Sequence, residues 1–258
     1  DGQILGFVAR RHPDADETAG PKYLNTPETP LFHKGAQLYG HAPSLLSGGR
    51  PVLVEGPMDA IAVTLATGGE YVGVAALGTA LTREQARQLR RYSDLPIVAT
   101  DNDKAGQAAA ERDYWILTEL GHDPLQATLH EGTDPADLLA QEHQQELSDA
   151  LRASTPLSQV MLDRAITNLA GDGRIEDAIR IIGAADPTRW NSAIAELAMA
   201  TDRDVPELQT ALATHLGVDT TTSRPSAERS PSTRRHVADP ALSSALLPTS
   251  QPAVGPQR

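Results

Sequence analysis

Between Pro51 and Asp137, three short blocks place six carboxylates where apolar, strand-like runs give way to helix-like ones. The blocks are Pro51-Val-Leu-Val-Glu55-Gly-Pro-Met-Asp59, Pro96-Ile-Val-Ala-Thr-Asp101-Asn-Asp103-Lys-Ala-Gly106 and Gly132-Thr-Asp134-Pro-Ala-Asp137. Strand-like runs over 52–55, 72–77, 96–101 and 125–129 alternate with helix-like runs over 58–66, 82–92, 105–120 and 135–151. That rhythm predicts an α/β fold, with a mostly parallel four-stranded sheet flanked by helices. Thr82 and Gln85 have the spacing of a helix capping box. In an open parallel sheet, ligands bind at the carboxyl ends of the strands. Acidic groups gathered there repel one another unless a cation joins them, and hard divalent cations prefer oxygen ligands. The spacing points to a Mg2+ site and to phosphate chemistry.

The rest of the chain divides by pattern. Residues 1–50 are a basic, aromatic α+β lead-in, with a strand candidate over 4–8 and a turn-rich stretch over 21–30. Residues 51–150 carry the α/β alternation. Residues 151–217 have apolar residues at helical spacing over 160–169, 175–184, 190–199 and 206–216, which predicts a small bundle. Residues 218–258 lose the apolar pattern to Thr, Ser, Pro and Arg, and read as a disordered tail or linker. Phe7, Phe32 and Tyr39 are expected as core anchors of the lead-in, and Trp190 as core of the bundle.

Composition removes several classes. No cysteine is present among the 258 residues, which excludes disulfides and Cys-ligated zinc within these boundaries. His33, His41 and the other histidines show no metal-ligand spacing. No run approaches ~20 consecutive apolar residues, so no membrane span is expected and a cytoplasmic setting is the default. The first residue, Asp1, suggests a piece of something longer. The net charge of −12 argues against a uniformly basic nucleic-acid binder, but not against a local basic face.

The ordered blocks look like a TOPRIM domain, shared by bacterial primases, topoisomerases and some nucleases. The lead-in narrows the resemblance. Gly6-Phe-Val-Ala-Arg10, Pro21-Lys-Tyr-Leu-Asn-Thr-Pro-Glu-Thr, Phe32-His-Lys-Gly and Leu38-Tyr-Gly resemble the catalytic core of bacterial primases of the DnaG type. Leu77-Gly-Thr-Ala-Leu-Thr82 and Ser154-Thr-Pro-Leu-Ser158 are similar to further blocks of that core. The similarity covers roughly residues 1–217. Two features depart from the family pattern. Asn102 stands where Gly usually separates the paired aspartates, and Asn tolerates a left-handed turn there. The second acid of the third block falls one residue later, at Asp137. On this resemblance, the sequence is expected to lack the family's zinc-binding domain and the first part of its polymerase domain.

Each acid also has a bland reading. Glu55 is well placed as a carboxylate at a helix N-terminus, and Asp59 as a solvated helix acid. Asp101 and Asp103, two apart, share one face if strand geometry persists through both, while Asp103 is also an N-cap candidate. Asp134 precedes a Pro at the first helical position and is an N-cap candidate. The resemblance implies metal binding by Glu55, Asp59, Asp101, Asp103, Asp134 and Asp137, with Glu55, Asp101 and Asp103 catalytic. It implies contacts from Arg10, Lys22, Tyr23, Asn25 and Lys34 to nucleotide and nucleic acid. Backbone N–H groups at Gly78-Thr79 are a further, weaker phosphate contact.

The implied activity is Mg2+-dependent RNA primer synthesis on single-stranded DNA, with Mn2+ as an alternative metal. Ribonucleoside triphosphates, the RNA primer and a replicative helicase are the further partners. Two alternatives stay open: a TOPRIM-type nuclease, and a non-catalytic replication module that binds DNA or a helicase. A topoisomerase is disfavoured, because tyrosines 23, 39, 71, 92 and 114 all lie in the lead-in or the α/β unit.

Overall fold

The computed structural model describes residues 4–12, 14–16, 18, 20–78, 80–130, 132–169 and 174–218. The tail expected at 218–258 lies, from residue 219 on, outside the described residues.

Two short strands, β1 (Val8–Arg10) and β2 (Tyr23–Asn25), form an antiparallel ribbon. The strand expected over 4–8 starts only at Val8. Phe7 is 70 % exposed rather than a core anchor, whereas Phe32 is buried as expected. A 3-10 turn at Lys34–Ala36 leads into β3 (Leu38–Gly40) and α1 (Ala42–Leu46).

The α/β layer follows with β4 (Arg50–Val54), α2 (Pro57–Ala66), β5 (Tyr71–Ala76), α3 (Arg83–Leu89), β6 (Ile97–Val98), α4 (Lys104–Glu119) and β7 (Leu125–Gln126). Next come α5 (Pro135–Ala140), α6 (Gln144–Arg152) and β8 (Thr155–Pro156). Four helices complete the described chain: α7 (Leu157–Asn168), α8 (Ile175–Ala184), α9 (Trp190–Thr201) and α10 (Val205–His215).

The sheet runs β3-β5-β4-β6-β7-β8. The four strands anticipated from sequence make its parallel centre, and β3 and β8 add antiparallel edges. Pro51, Val52, Leu53 and Val54 are all buried, the near-continuous apolar run of a strand covered on both faces. Val52 and Val54 face α2, α5 and α6, while Leu53 faces the opposite cluster with α3 and α4. That second cluster continues through Leu157, Leu162, Ile182, Ile194 and Leu197, so one core joins the α/β layer to the C-terminal helices. The buried Tyr114 hydroxyl donates to the Ile181 carbonyl at 2.9 Å and ties α4 to α8. Trp190 packs partly buried against the same cluster.

Close approach of α2 to β5 depends on Gly73, where a Cβ would overlap the Ala60 backbone. The helix expected over 135–151 is broken at Glu142, whose φ is +61°. On one straight helix Leu138 and Leu147, nine residues apart, would point to opposite sides. The break turns both into the same core, where both are buried.

Candidate active site

The rim forms where β4, β6 and the segment after β7 end beside one another. Glu55 follows β4 directly and is exposed. Its Oε1 accepts the Asp101 N–H at 3.3 Å, which joins the ends of two adjacent strands. Strand geometry does not persist to Asp101 as one reading required. The Ala99 N–H still bonds the Leu53 carbonyl, but the Thr100 hydroxyl then turns to the Gly106 carbonyl at 3.0 Å. Asp103 instead caps α4, accepting the Gly106 N–H at 2.7 Å. A Cβ on Gly106 would overlap the Asp101 carbonyl oxygen, so glycine lets the first turn of α4 press against this aspartate. Asn102 is not left-handed, contrary to the expectation for this position. Its amide reaches the Leu129 carbonyl at 3.4 Å and fastens the loop to the chain beyond β7.

Asp59 sits in the first turn of α2, where its Oδ2 accepts the Gly56 N–H at 3.2 Å. Asp134 caps α5 and accepts the Asp137 N–H at 2.6 Å. These caps satisfy helix-end donors, yet the carboxylates also act on one another. Burial, then the charge of Asp134, pushes Asp59 up to about 6, with Asp101 adding to the rise; N–H groups of Ala136 and Gly56 oppose it. Burial also raises Asp101, followed by the charges of Glu55, Asp134 and Asp103, with Lys22 opposing. Five of the six acids therefore share one electrostatic neighbourhood. Asp137 contributes its N–H to Asp134, and its charge is not among the principal ones acting on Asp59 or Asp101.

No group of three or more His, Cys, Asp or Glu among the described residues is arranged to hold a metal ion as placed. The acids stand as an open rim. Their chemistry, carboxylate oxygens only, suits a hard divalent cation. The two observations differ in kind: mutual influence reaches further than ligation does.

Of the lead-in residues, three meet the rim. Lys22 acts on Asp101, and the Tyr23 hydroxyl is raised by burial, with Arg10 opposing and Asp59 and Asp134 adding to it. Arg10 and Lys22 lie 5.8 and 5.9 Å from the Tyr23 ring centre. Asn25 is turned inward, its amide donating to the Leu77 carbonyl at 2.6 Å, so it pins β2 to the end of β5. Lys34 offers its carbonyl to Gln85 at 2.9 Å, within a clamp completed by the Thr82–Gln85 capping box. The charge of Lys34 is not among the principal ones on Asp59, Asp101 or Tyr23. Gly78 borders open space, and Thr79 lies outside the described residues.

Sequence reasoning missed Asp113. It lines a cavity of about 290 Å3 behind the rim with Val54, Glu55, Gly78, Thr100 and Arg112. Burial pushes it up to about 7, with Arg112 opposing. The only sequence signal was an acid on the apolar side of α4. An acid raised from 3.8 loses stability as pH rises between the two values, because the folded state holds the proton longer. Asp113→Asn is expected to stabilise the fold by roughly 2–4 kcal/mol at pH 8 and to be near neutral at pH 4. Urea denaturation at the two pH values checks this, and a pH-independent effect contradicts it.

Comparisons with known proteins converge. Residues 52–139 match the Toprim-like family, and residues 1–44 match the family described as DNA primase catalytic core, N-terminal domain. The DNA primase of Clostridium acetobutylicum is 36 % identical over 170 residues, which cover 65 % of this chain and 28 % of that protein. A structure of the DnaG primase catalytic domain bound to ssDNA is 29 % identical with a TM-score of 0.66, covering 80 % of this chain and 68 % of that one. The RNA polymerase domain of Mycobacterium tuberculosis primase DnaG, in complex with double-stranded DNA, is 32 % identical with a TM-score of 0.61. That match covers 79 % of this chain and 68 % of the other. The chain belongs to the bacterial DnaG primase family. It corresponds to part of the DnaG catalytic core, and it spans about a quarter of the length of the curated primases it matches. The DnaG assignment places the rim within the Toprim-like segment and Arg10, Lys22 and Tyr23 within the N-terminal segment of the core. Among the described residues no helix is long and apolar enough to cross a membrane.

Proposed function

We propose that this chain is the catalytic part of a cytoplasmic DNA primase that builds short RNA primers on single-stranded DNA. The observation that carries the reading is the meeting of two families of side chains at one rim. Five carboxylates share a field there, and two lead-in side chains enter it: Lys22 acts on Asp101, and Asp59 and Asp134 act on Tyr23. The ssDNA-bound DnaG relative supports the choice of template.

Glu55, Asp59, Asp101, Asp103 and Asp134 would hold Mg2+, or Mn2+ in its place, with Asp137 at the margin. A bound cation would stabilise charge on the α-phosphate and the pyrophosphate leaving group. Glu55, exposed just beyond β4, would accept the proton of an attacking 3′-hydroxyl. Asp101 and Asp103 would help hold that cation, which would in turn order the nucleotide's phosphates beside the hydroxyl. Lys22 and Arg10 neutralise template or nucleotide phosphates, and Tyr23 offers a ring and hydroxyl to sugar or base. Asn25 and Lys34 serve by fixing the lead-in against the sheet, with Lys34 adding charge to the template side. The RNA primer and a replicative helicase complete the set of partners.

Labelled single-stranded DNA, ribonucleoside triphosphates and Mg2+ incubated with the chain test the reading. Template-dependent extension is expected. Cleavage of the DNA without extension would favour a nuclease instead.

A further inference from the structure

A second cleft, of about 470 Å3, lies between α4, α7 and α8 and reverses the sign of this acidic chain. Lys104, Arg164, Arg174 and Arg180 line it, against Glu111 and Asp177. Arg174 spends part of its charge on Asp177 at 4.0 Å. The Arg180 guanidinium lies 4.2 Å from the ring centre of half-buried Trp115, which fastens α8 to α4. Lys104 and Arg164 have no ion pair or hydrogen bond among the described residues, so the packing of the helices does not account for them. Two cations without a partner among the described residues thus share a concave surface with Arg174 and Arg180, and an anionic occupant complements them.

The shape favours an extended occupant. Lys104 to Trp115 is eleven helical rises, about 16 Å at 1.5 Å each. A duplex strand rises about 3.4 Å per phosphate along its axis, and an extended single strand spaces its phosphates roughly twice as far apart, so the cleft accommodates two or three. One end adjoins the rim, because Lys104 follows the cap residue Asp103. We propose that this cleft holds the phosphodiester backbone of a single nucleic-acid strand beyond the active-site rim. Only the claim that the strand continues to the rim rests on the primase reading; the cleft chemistry stands by itself.

The test is fluorescence polarisation of a labelled oligothymidylate with the full chain across a salt series. R164Q/R174Q is expected to weaken binding about 10-fold at low salt. It should also flatten the slope of log K against log salt by about 1.4, two contacts at about 0.7 each for a single strand. R164K/R174K keeps the charge and should keep the binding, which separates electrostatics from misfolding. In a W190F background Trp115 is the sole tryptophan, and its emission should change on strand addition. An unchanged slope in R164Q/R174Q, or no strand binding by the parent, overturns the proposal. Full displacement of the strand by ATP, with ATP binding weakened equally by R164Q/R174Q, marks a mononucleotide pocket and overturns it too. If the parent makes primers while the slope is unchanged, the cleft fails and the primase reading stands. If Asp101→Ala keeps full synthesis while the slope falls in R164Q/R174Q, the reverse holds.

Discussion

Asp101→Ala is expected to reduce primer synthesis by at least about 10^3-fold, roughly 4 kcal/mol of transition-state stabilisation. The same variant should fold at least as stably as the parent. Burial and the charges of Glu55, Asp134 and Asp103 raise this acid, so its ionised form destabilises the folded state at neutral pH. Removing it relieves that repulsion. Loss of activity combined with equal or greater thermal stability separates a functional acid from a structural one. Initiation assays scored as dinucleotide formation, paired with thermal melts, read both quantities. Full synthesis by the variant removes Asp101 from the mechanism, and a cooperative loss of folding gives it a structural role.

Gly106→Ala carries the second large effect, with a sign that helix propensity alone gets wrong. Alanine inside a helix ordinarily stabilises it by about 1 kcal/mol over glycine. Here the added Cβ overlaps the Asp101 carbonyl oxygen, so either α4 shifts outward or the Asp101 loop does. Overpacking of this kind costs about 1–3 kcal/mol, and the displaced aspartate should lower synthesis as well. Urea denaturation of Gly106→Ala is expected to show a lower midpoint and an unchanged slope. A variant as stable as the parent would mean that the first turn of α4 does not pack on Asp101 as described.

The parallel centre of the sheet was legible because each of its strands is a short apolar run that ends at an acid or a turn. Asp103 and Asp134 were legible as caps because a cap needs only local spacing, and both accept the N–H three residues on. The break at Glu142 was not, since Gln141-Glu142-His143 contains no Gly or Pro and the turn is set by the burial of Leu138 and Leu147 together. The edge strands β3 and β8 are three and two residues long, too short to show a period. At the site, the residue types were readable but their directions were not. Asn25 reads as a base contact until its amide is seen on the Leu77 carbonyl, a tether across 52 residues of sequence. Lys34 is positioned by Gln85, buried 51 residues away in sequence. Such partners depend on tertiary packing, and no local pattern records them. Asp113 escaped notice for the same reason, because burial by the folded chain raises it, against the opposing charge of its chain neighbour Arg112.

The central claim is that acids from three separated strand ends act together on a divalent cation. Titration of Mn2+ followed by electron paramagnetic resonance measures this directly, because free and bound ions give distinct signals. The parent should bind Mn2+ in a manner competed by Mg2+, and Asp101→Ala and Asp134→Ala should each weaken that binding although the two residues lie on different segments. Equal binding by the parent and both variants, or none by the parent, would contradict the account.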